Sequence, residues 1–193
     1  MNNSSRYQAI VIGASAGGIE AFDEIFWGQA KDFRISIIVV QHIGSDTHLS
    51  LSQLYDSKFV MPFKEADEKE TIQTGVVYIA PPNYHLMIEQ DKSFSLSVDE
   101  KVNYSRPSID VLFETAAQAY QDHLIGVVLT GANSDGARGL KAIKAQGGLP
   151  IVQDPETAEM SKMPQAALYA SDVDKILSLQ QISDFLATLN KNK

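Results

Sequence analysis

The sequence contains no cysteine, and that absence removes disulfides, thiolate nucleophiles and cysteine-bound metals from consideration. It fits a reducing compartment. No apolar run approaches the ~20 residues of a membrane helix, and the first residues, "MNNSSRYQ", lack the basic-then-apolar order of a secretory leader. Membrane insertion is therefore not expected, and a soluble, cytoplasmic protein is. Positive charge is scarce as well: 16 Lys and Arg stand against 24 Asp and Glu, a formal charge of -8, with a pI near 4.9. Such a surface repels phosphate backbones and anionic lipid, so nucleic acid is not an expected partner. No H-E-x-x-H zinc motif occurs, and no metal or organic cofactor is expected.

What is present is a chain of 193 residues, 44% hydrophobic, enough for one substantial core and hence one domain spanning 1–193. Short β-branched runs recur at 8–13 (QAIVIG), 34–41 (RISIIVVQ), 124–130 (LIGVVLT) and 149–153 (LPIVQ). They alternate only weakly, as strands buried on both faces do. Helical periodicity lies between them. Ile109, Leu112, Phe113, Ala116 and Tyr120 mark one helix face after an opening Pro107. A second helix is predicted from about Gly136 to Gln146, with Gly147 ending it in a left-handed conformation. The predicted fold is α/β: a doubly wound, mostly parallel, Rossmann-like sheet with helices on both faces. The stretch "GVVYIAPPNYHLMIEQDKSFSLSV" departs from the alternation and predicts a β-hairpin at one sheet edge, turning at QDKS. The charged cluster KEADEKE ahead of it is expected to face solvent.

The first apolar run continues into GASAGG, which two chemistries could use. As G-x-G-x-x-G, it puts Ser15 at the middle position, where a pyrophosphate needs bare backbone. The second strand also ends in Gln41 and His42 instead of an acidic residue for a ribose. As G-x-S-x-G, from Gly13 to Gly17, the same residues describe a strand-to-helix turn that exposes a serine hydroxyl. This second description fits better, with an ordinary helix N-cap as its structural alternative. Ser15 would need a base. Of the four histidines, His42 ends the adjacent strand on the same rim. His48 is expected in the first turn of the next helix, His85 in the hairpin and His123 at the opposite rim, as surface or capping residues. Two carboxylates could orient His42: Asp135 in LTGANSDGARG and Asp154 in IVQDPET, each of which could instead serve as a cap or turn residue. The order Ser, His, Asp differs from that of the α/β-hydrolases, so a triad here would be an independent solution of the same geometry.

Six blocks, VIGASAGGIEAF, VVQHI, VYIAPPNYHL, RPSIDVLF, GVVLTGANSDGARGLKAIKAQGG and QDPETAEMSKMPQAAL, together resemble the catalytic domain of the CheB-type protein-glutamate methylesterases of bacterial chemotaxis. The likeness covers nearly the whole chain. It implies hydrolysis of glutamate γ-methyl esters on receptor signalling helices, with release of methanol, and often deamidation of selected glutamines. It carries Ser15 over as nucleophile, His42 as general base and Asp135, in preference to Asp154, as orienting carboxylate. Substrate-binding and oxyanion roles map onto Ala16, Gln41, Arg106 and Ala132. Arg106 offers positive charge toward an acidic receptor helix, with a salt bridge at a helix entrance as its alternative. Members of the family often have Met where Ala132 stands and Thr where Ala16 stands, so oxyanion contacts here are expected to be weaker or supplied only by backbone. Many also carry an N-terminal receiver domain. The first strand starts within about 10 residues of Met1, so none is expected, and activity would be constitutive, controlled by a separate receiver protein, or used outside chemotaxis. The implied partners are methyl-accepting chemotaxis receptors. The rival accounts are a catalytically silent module that docks on a receptor or scaffold and, more weakly, a nucleotide-binding domain.

Overall fold

Strand β1 (Ala9–Ala14) is buried along its whole length, and its residues feed two cores in alternation. In the computed structural model, which describes residues 6–42 and 50–191, Ala9 and Val11 join the core on one face of the sheet. Ile10, Ile12 and Ala14 join the core on the other. Successive side chains of a strand point to opposite faces, so a strand covered on both sides must be apolar throughout. The same division holds in β2 (Ser36–Gln41), where Ile38 and Val40 oppose Ile37 and Val39, which explains the missing alternation in the sequence.

Seven strands form the main sheet in the order β3-β4-β2-β1-β7-β8-β9, and every neighbouring pair is parallel. Beyond β1 and β2 these strands are β3 (Phe63–Glu65), β4 (Val77–Ile79), β7 (Leu124–Val128), β8 (Leu149–Gln153) and β9 (Lys175–Leu177). Helices α1 (Gly18–Phe26), α2 (Leu51–Lys58) and α6 (Leu179–Lys191) cover one face, and α3 (Ile109–Tyr120), α4 (Ala137–Ala145) and α5 (Lys162–Ala170) the other. The four predicted parallel strands are β1, β2, β7 and β8, whereas Val77–Ile79, read with the hairpin stretch, forms β4 inside the main sheet. The helix expected at 136–146 runs Ala137–Ala145, and Gly147, at φ 83°, closes it in the left-handed region that glycine adopts without penalty. Thr130, expected inside the strand, instead lies beyond β7, its N–H donating to Gln153 Oε1 at 2.8 Å.

The hairpin is β5 (His85–Ile88) and β6 (Phe94–Ser97), a separate antiparallel sheet. It reaches the main sheet through the connection after edge strand β3, where Ile72 N–H donates to the Lys92 carbonyl and Phe94 N–H to that of Glu70. Its apolar face, Leu86, Ile88 and Phe94, is buried in the core under α3. In KEADEKE only Ala66 turns inward, and the charged residues are exposed except the half-buried Glu70, which pairs with Lys64.

From β1 the chain winds first toward β2 and later resumes on the other side at β7, so the winding reverses between β1 and β7. Crevices at such reversals, outside the carboxyl ends of parallel strands, are where ligands of open α/β sheets bind. Ser15 and Thr130 flank this one, joined by a Ser15 N–H to Thr130 carbonyl bond of 3.0 Å.

Candidate active site

Ser15 follows β1 directly. Gly17, at φ 77°, takes a backbone conformation that side chains resist and turns the chain sharply into α1. The Ser15 carbonyl accepts from Gly18 N–H at 3.0 Å, while its hydroxyl makes no hydrogen bond among the described residues. Ala16 is exposed, and its N–H likewise has no partner among them, leaving a free donor at the positive end of a helix. Its carbonyl accepts from Thr130 Oγ1 at 2.9 Å. Ala132 is also exposed, on the neighbouring loop after β7.

His42 stands one residue beyond β2, held by its N–H to the Ala14 carbonyl at 3.0 Å. Its side chain is 11% exposed, and Nε2 lies 2.9 Å from Asp135 Oδ2. The structure thus brings together two of the residues singled out in the sequence from opposite sides of β1. Asp135 is completely buried and gathers donors from five further groups: Ile109 N–H (2.7 Å), Asp110 N–H (3.0 Å), Ser108 Oγ (2.9 Å), Asn103 Nδ2 (3.2 Å) and Gly136 N–H (3.1 Å). Burial pushes its carboxyl up, but the His42 hydrogen bond and the backbone N–H groups of Asp110 and Ile109 outweigh this and hold it below the usual carboxylate range. An ionised acceptor therefore faces His42.

Two of those donors open α3, so Asp135 caps a helix other than the one that follows it. Asp110, in the first turn of α3, returns the arrangement by accepting from Gly136 and Gly139 N–H at the start of α4 (2.9 and 2.8 Å). Asn103 Nδ2 donates to both carboxylates. Burial, aided by the charge of Asp135, raises Asp110 above its ordinary value despite the donors from Gly139 and Asn103.

The histidine ring meets a third residue. Asn133 Nδ2 lies 3.2 Å from His42 Nδ1, and Asn133 Oδ1 accepts Asp135 N–H at 2.9 Å. Only the amide oxygen can take that backbone hydrogen, so the amide nitrogen, a pure donor, must face the ring. Nδ1 then carries the lone pair and Nε2 the hydrogen that Asp135 accepts. The unprotonated ring nitrogen is Nδ1, the reverse of the ring orientation in chymotrypsin-type triads.

Gln41 does not present its amide to the crevice. Its Nε2 donates to the carbonyls of Ser15 and His42, both at 2.8 Å, so both amide hydrogens brace the site's own backbone. Arg106 Nη1 donates to the Val98 and Asp99 carbonyls at 2.6 and 2.8 Å, tying the end of β6 to the approach to α3. Asp154 forms a local turn, its Oδ1 accepting Glu156 N–H and its carbonyl accepting Thr157 N–H. His85 is 2% exposed rather than on the surface: Nδ1 accepts Ser108 N–H and Nε2 lies 3.0 Å from the Glu100 carbonyl. His123 pairs with Asp122 at the opposite rim, and His48 lies outside the described residues. Among the described residues no group of three His, Cys, Asp or Glu could hold a metal ion, and no helix is long and apolar enough to cross a membrane.

Asn133, Asn103, Ser108 and Asp110 escaped the sequence reading. Each stands beside a recognised block, but polar residues in loops and at helix starts read as turn formers, and nothing local tells which side chain will turn toward a carboxylate on another element.

A doubly wound parallel sheet with a serine turn at its winding reversal, one strand from a carboxylate-bound histidine, defines a Rossmann-like α/β hydrolase class. The chain belongs to the CheB methylesterase family, whose model matches residues 10–186. A relative from Leptospira interrogans is 55% identical over 186 residues, 96% of each chain. One from Thermotoga maritima, named protein-glutamate methylesterase/protein-glutamine glutaminase, is 34% identical over 183 residues; these are 93% of this chain and 53% of the relative, so the chain spans about half of that protein. The crystal structure of the Thermotoga maritima CheB methylesterase catalytic domain superposes with a TM-score of 0.89 at 34% identity, covering 95% of this chain and 98% of that one.

Proposed function

We propose that the protein hydrolyses γ-methyl esters of glutamate on chemoreceptor signalling helices in the cytoplasm, with Ser15 as nucleophile, His42 as general base and Asp135 as the carboxylate that orients it. The observation that carries this reading is the 2.9 Å bond between His42 Nε2 and the ionised, buried Asp135, one strand from Ser15. Nδ1 takes the Ser15 proton as Oγ attacks the ester carbonyl, and Asp135 stabilises the imidazolium. The N–H of Ala16 receives the developing oxyanion, and one such donor is typically worth about 10²–10³ in rate. Nδ1 returns its proton to the departing methoxide, giving methanol and an acyl-serine. Water then donates a proton to Nδ1 as its oxygen attacks the acyl carbon, and Nδ1 passes that proton to Ser15 Oγ as the acyl bond breaks, leaving the glutamate side chain and free Ser15. On a glutamine side chain the same attack would release ammonia.

Methanol release from methylated receptor decides the matter. The rate of Ser15→Ala should fall by at least about 10³, and equal rates for variant and wild type would show a module that binds without turning over.

A further inference from the structure

Granting the esterase reading, His42 Nδ1 must accept the Ser15 proton, yet in this structure it already has a donor. Asn133 Nδ2 lies 3.2 Å from it, and the Asp135 N–H bond to Asn133 Oδ1 at 2.9 Å keeps the amide from presenting its oxygen instead. An unprotonated imidazole nitrogen has one in-plane lone pair, so Asn133 and Ser15 compete for the same electrons. Ser15 Oγ, with no hydrogen bond among the described residues, is the partner left waiting. Once Nδ1 is protonated the two groups face each other donor to donor, and the contact cannot survive.

We propose that Asn133 is a latch on the base nitrogen of His42: it closes Nδ1 in the resting protein and gives it up to Ser15 Oγ when substrate is attacked. The latch holds the ring in the orientation and tautomer the reaction needs, at the cost of reactivity at rest. Its surroundings permit the exchange. Asn133 is half-buried, with both chain neighbours, Ala132 and Ser134, exposed, so the side chain can swing outward without disturbing the core. The swing gives up the bond from Asp135 N–H to Asn133 Oδ1, while the Asp135 carboxylate keeps its donors from Ile109, Asp110, Ser108, Asn103 and Gly136.

Two variants separate latching from turn formation. Asn133→Ser keeps an oxygen able to accept Asp135 N–H but is too short to reach the ring; Asn133→Ala loses both contacts. Reaction of Ser15 with a fluorophosphonate, together with hydrolysis of a small methyl or nitrophenyl ester, should be roughly two- to tenfold faster in Asn133→Ser than in wild type, the span that one neutral hydrogen bond commands. In 15N spectra of the free protein the His42 Nδ1 resonance should move while Nε2 keeps its hydrogen. Rates at or below wild type in both variants, or an unmoved Nδ1 resonance, overturn the latch. Labelling that persists in Ser15→Ala overturns the esterase reading itself, whereas labelling that needs Ser15 but is not accelerated by Asn133→Ser overturns the latch alone.

Discussion

The side-chain amide of Gln41 donates to the Ser15 carbonyl at 2.8 Å, and the same nitrogen donates to the carbonyl of His42. One buried side chain thereby fastens the serine turn to the strand end that carries the histidine. Replacing it with Leu, of similar size, strands both carbonyls; each buried polar group left without a partner costs about 1–3 kcal/mol. Gln41→Leu should lower the thermal midpoint by several degrees and reduce kcat at least about tenfold, because a displacement near 1 Å at a reacting group costs far more than its hydrogen bond. Calorimetry and ester kinetics on one preparation check this, and wild-type kcat in the variant would refute the bracing role.

Asp135→Asn replaces an acceptor of six donors by a group with one acceptor oxygen and two hydrogens of its own. At least one of the donors from Ile109, Asp110, Ser108, Asn103, Gly136 or His42 must then face another donor. His42 Nε2–H loses the carboxylate that accepts it and would stabilise the imidazolium, and kcat should fall by about 10³–10⁴. The stability loss should follow pH with a definite sign. The folded carboxyl of Asp135 lies below its ordinary value, so its stabilisation is complete above the unfolded value, near 4, and fades as pH falls through the folded one. Asp110 is shifted upward and has the opposite sign, its burial penalty present at neutral pH and relieved on acidification. Urea denaturation should therefore show the gap between wild type and Asp135→Asn constant from about pH 7 to pH 5 and narrowing only below about pH 4; closure of the gap at higher pH would contradict the assignment.

Gly131 sits beneath the serine turn, where an added Cβ would lie 2.9 Å from Ser15 Cβ and closer still to Met163 Sδ. The flexible thioether can move aside, but the serine turn is pinned through Gln41 and Thr130. Gly131→Ala should therefore lose activity out of proportion to stability, with kcat down about tenfold or more for a loss near 1–3 kcal/mol. Equal scaling of the two, measured by kinetics and urea unfolding, would mean that the turn yields as readily as the methionine.

Arg106 holds the Val98 and Asp99 carbonyls through Nη1. As a brace, its removal in Arg106→Ala should cost about 1–2 kcal/mol and affect small-ester and receptor substrates alike. A rise in KM confined to the receptor, at unchanged stability, would instead assign it the direct contact with an acidic helix.

Much of this protein was legible in its amino acids because the signals are local. Weakly alternating Val and Ile runs specify strands covered on both sides, helical spacing places the apolar face of α3, and a small-residue turn around Ser15 marks the exit of the first strand. Even the shared rim of Ser15 and His42 follows from both residues ending parallel strands. The inner arrangement was not legible. Asp135 and His42 meet across 93 positions of chain, and Asp135 and Asp110 cap each other's helices across 25. Sequence spacing carries no information about the direction of a hydrogen bond.

The alternation of strands and helices, the hairpin and the common rim of Ser15 and His42 were thus determined by the sequence alone, since backbone periodicity and chain breaks act over a few residues. Tertiary structure alone decided which nitrogen of His42 is unprotonated, that Gln41 braces the site, and that His85 is buried. Each of these depends on donors and acceptors from separate elements meeting at fixed distance and angle, a condition only the packed molecule can impose.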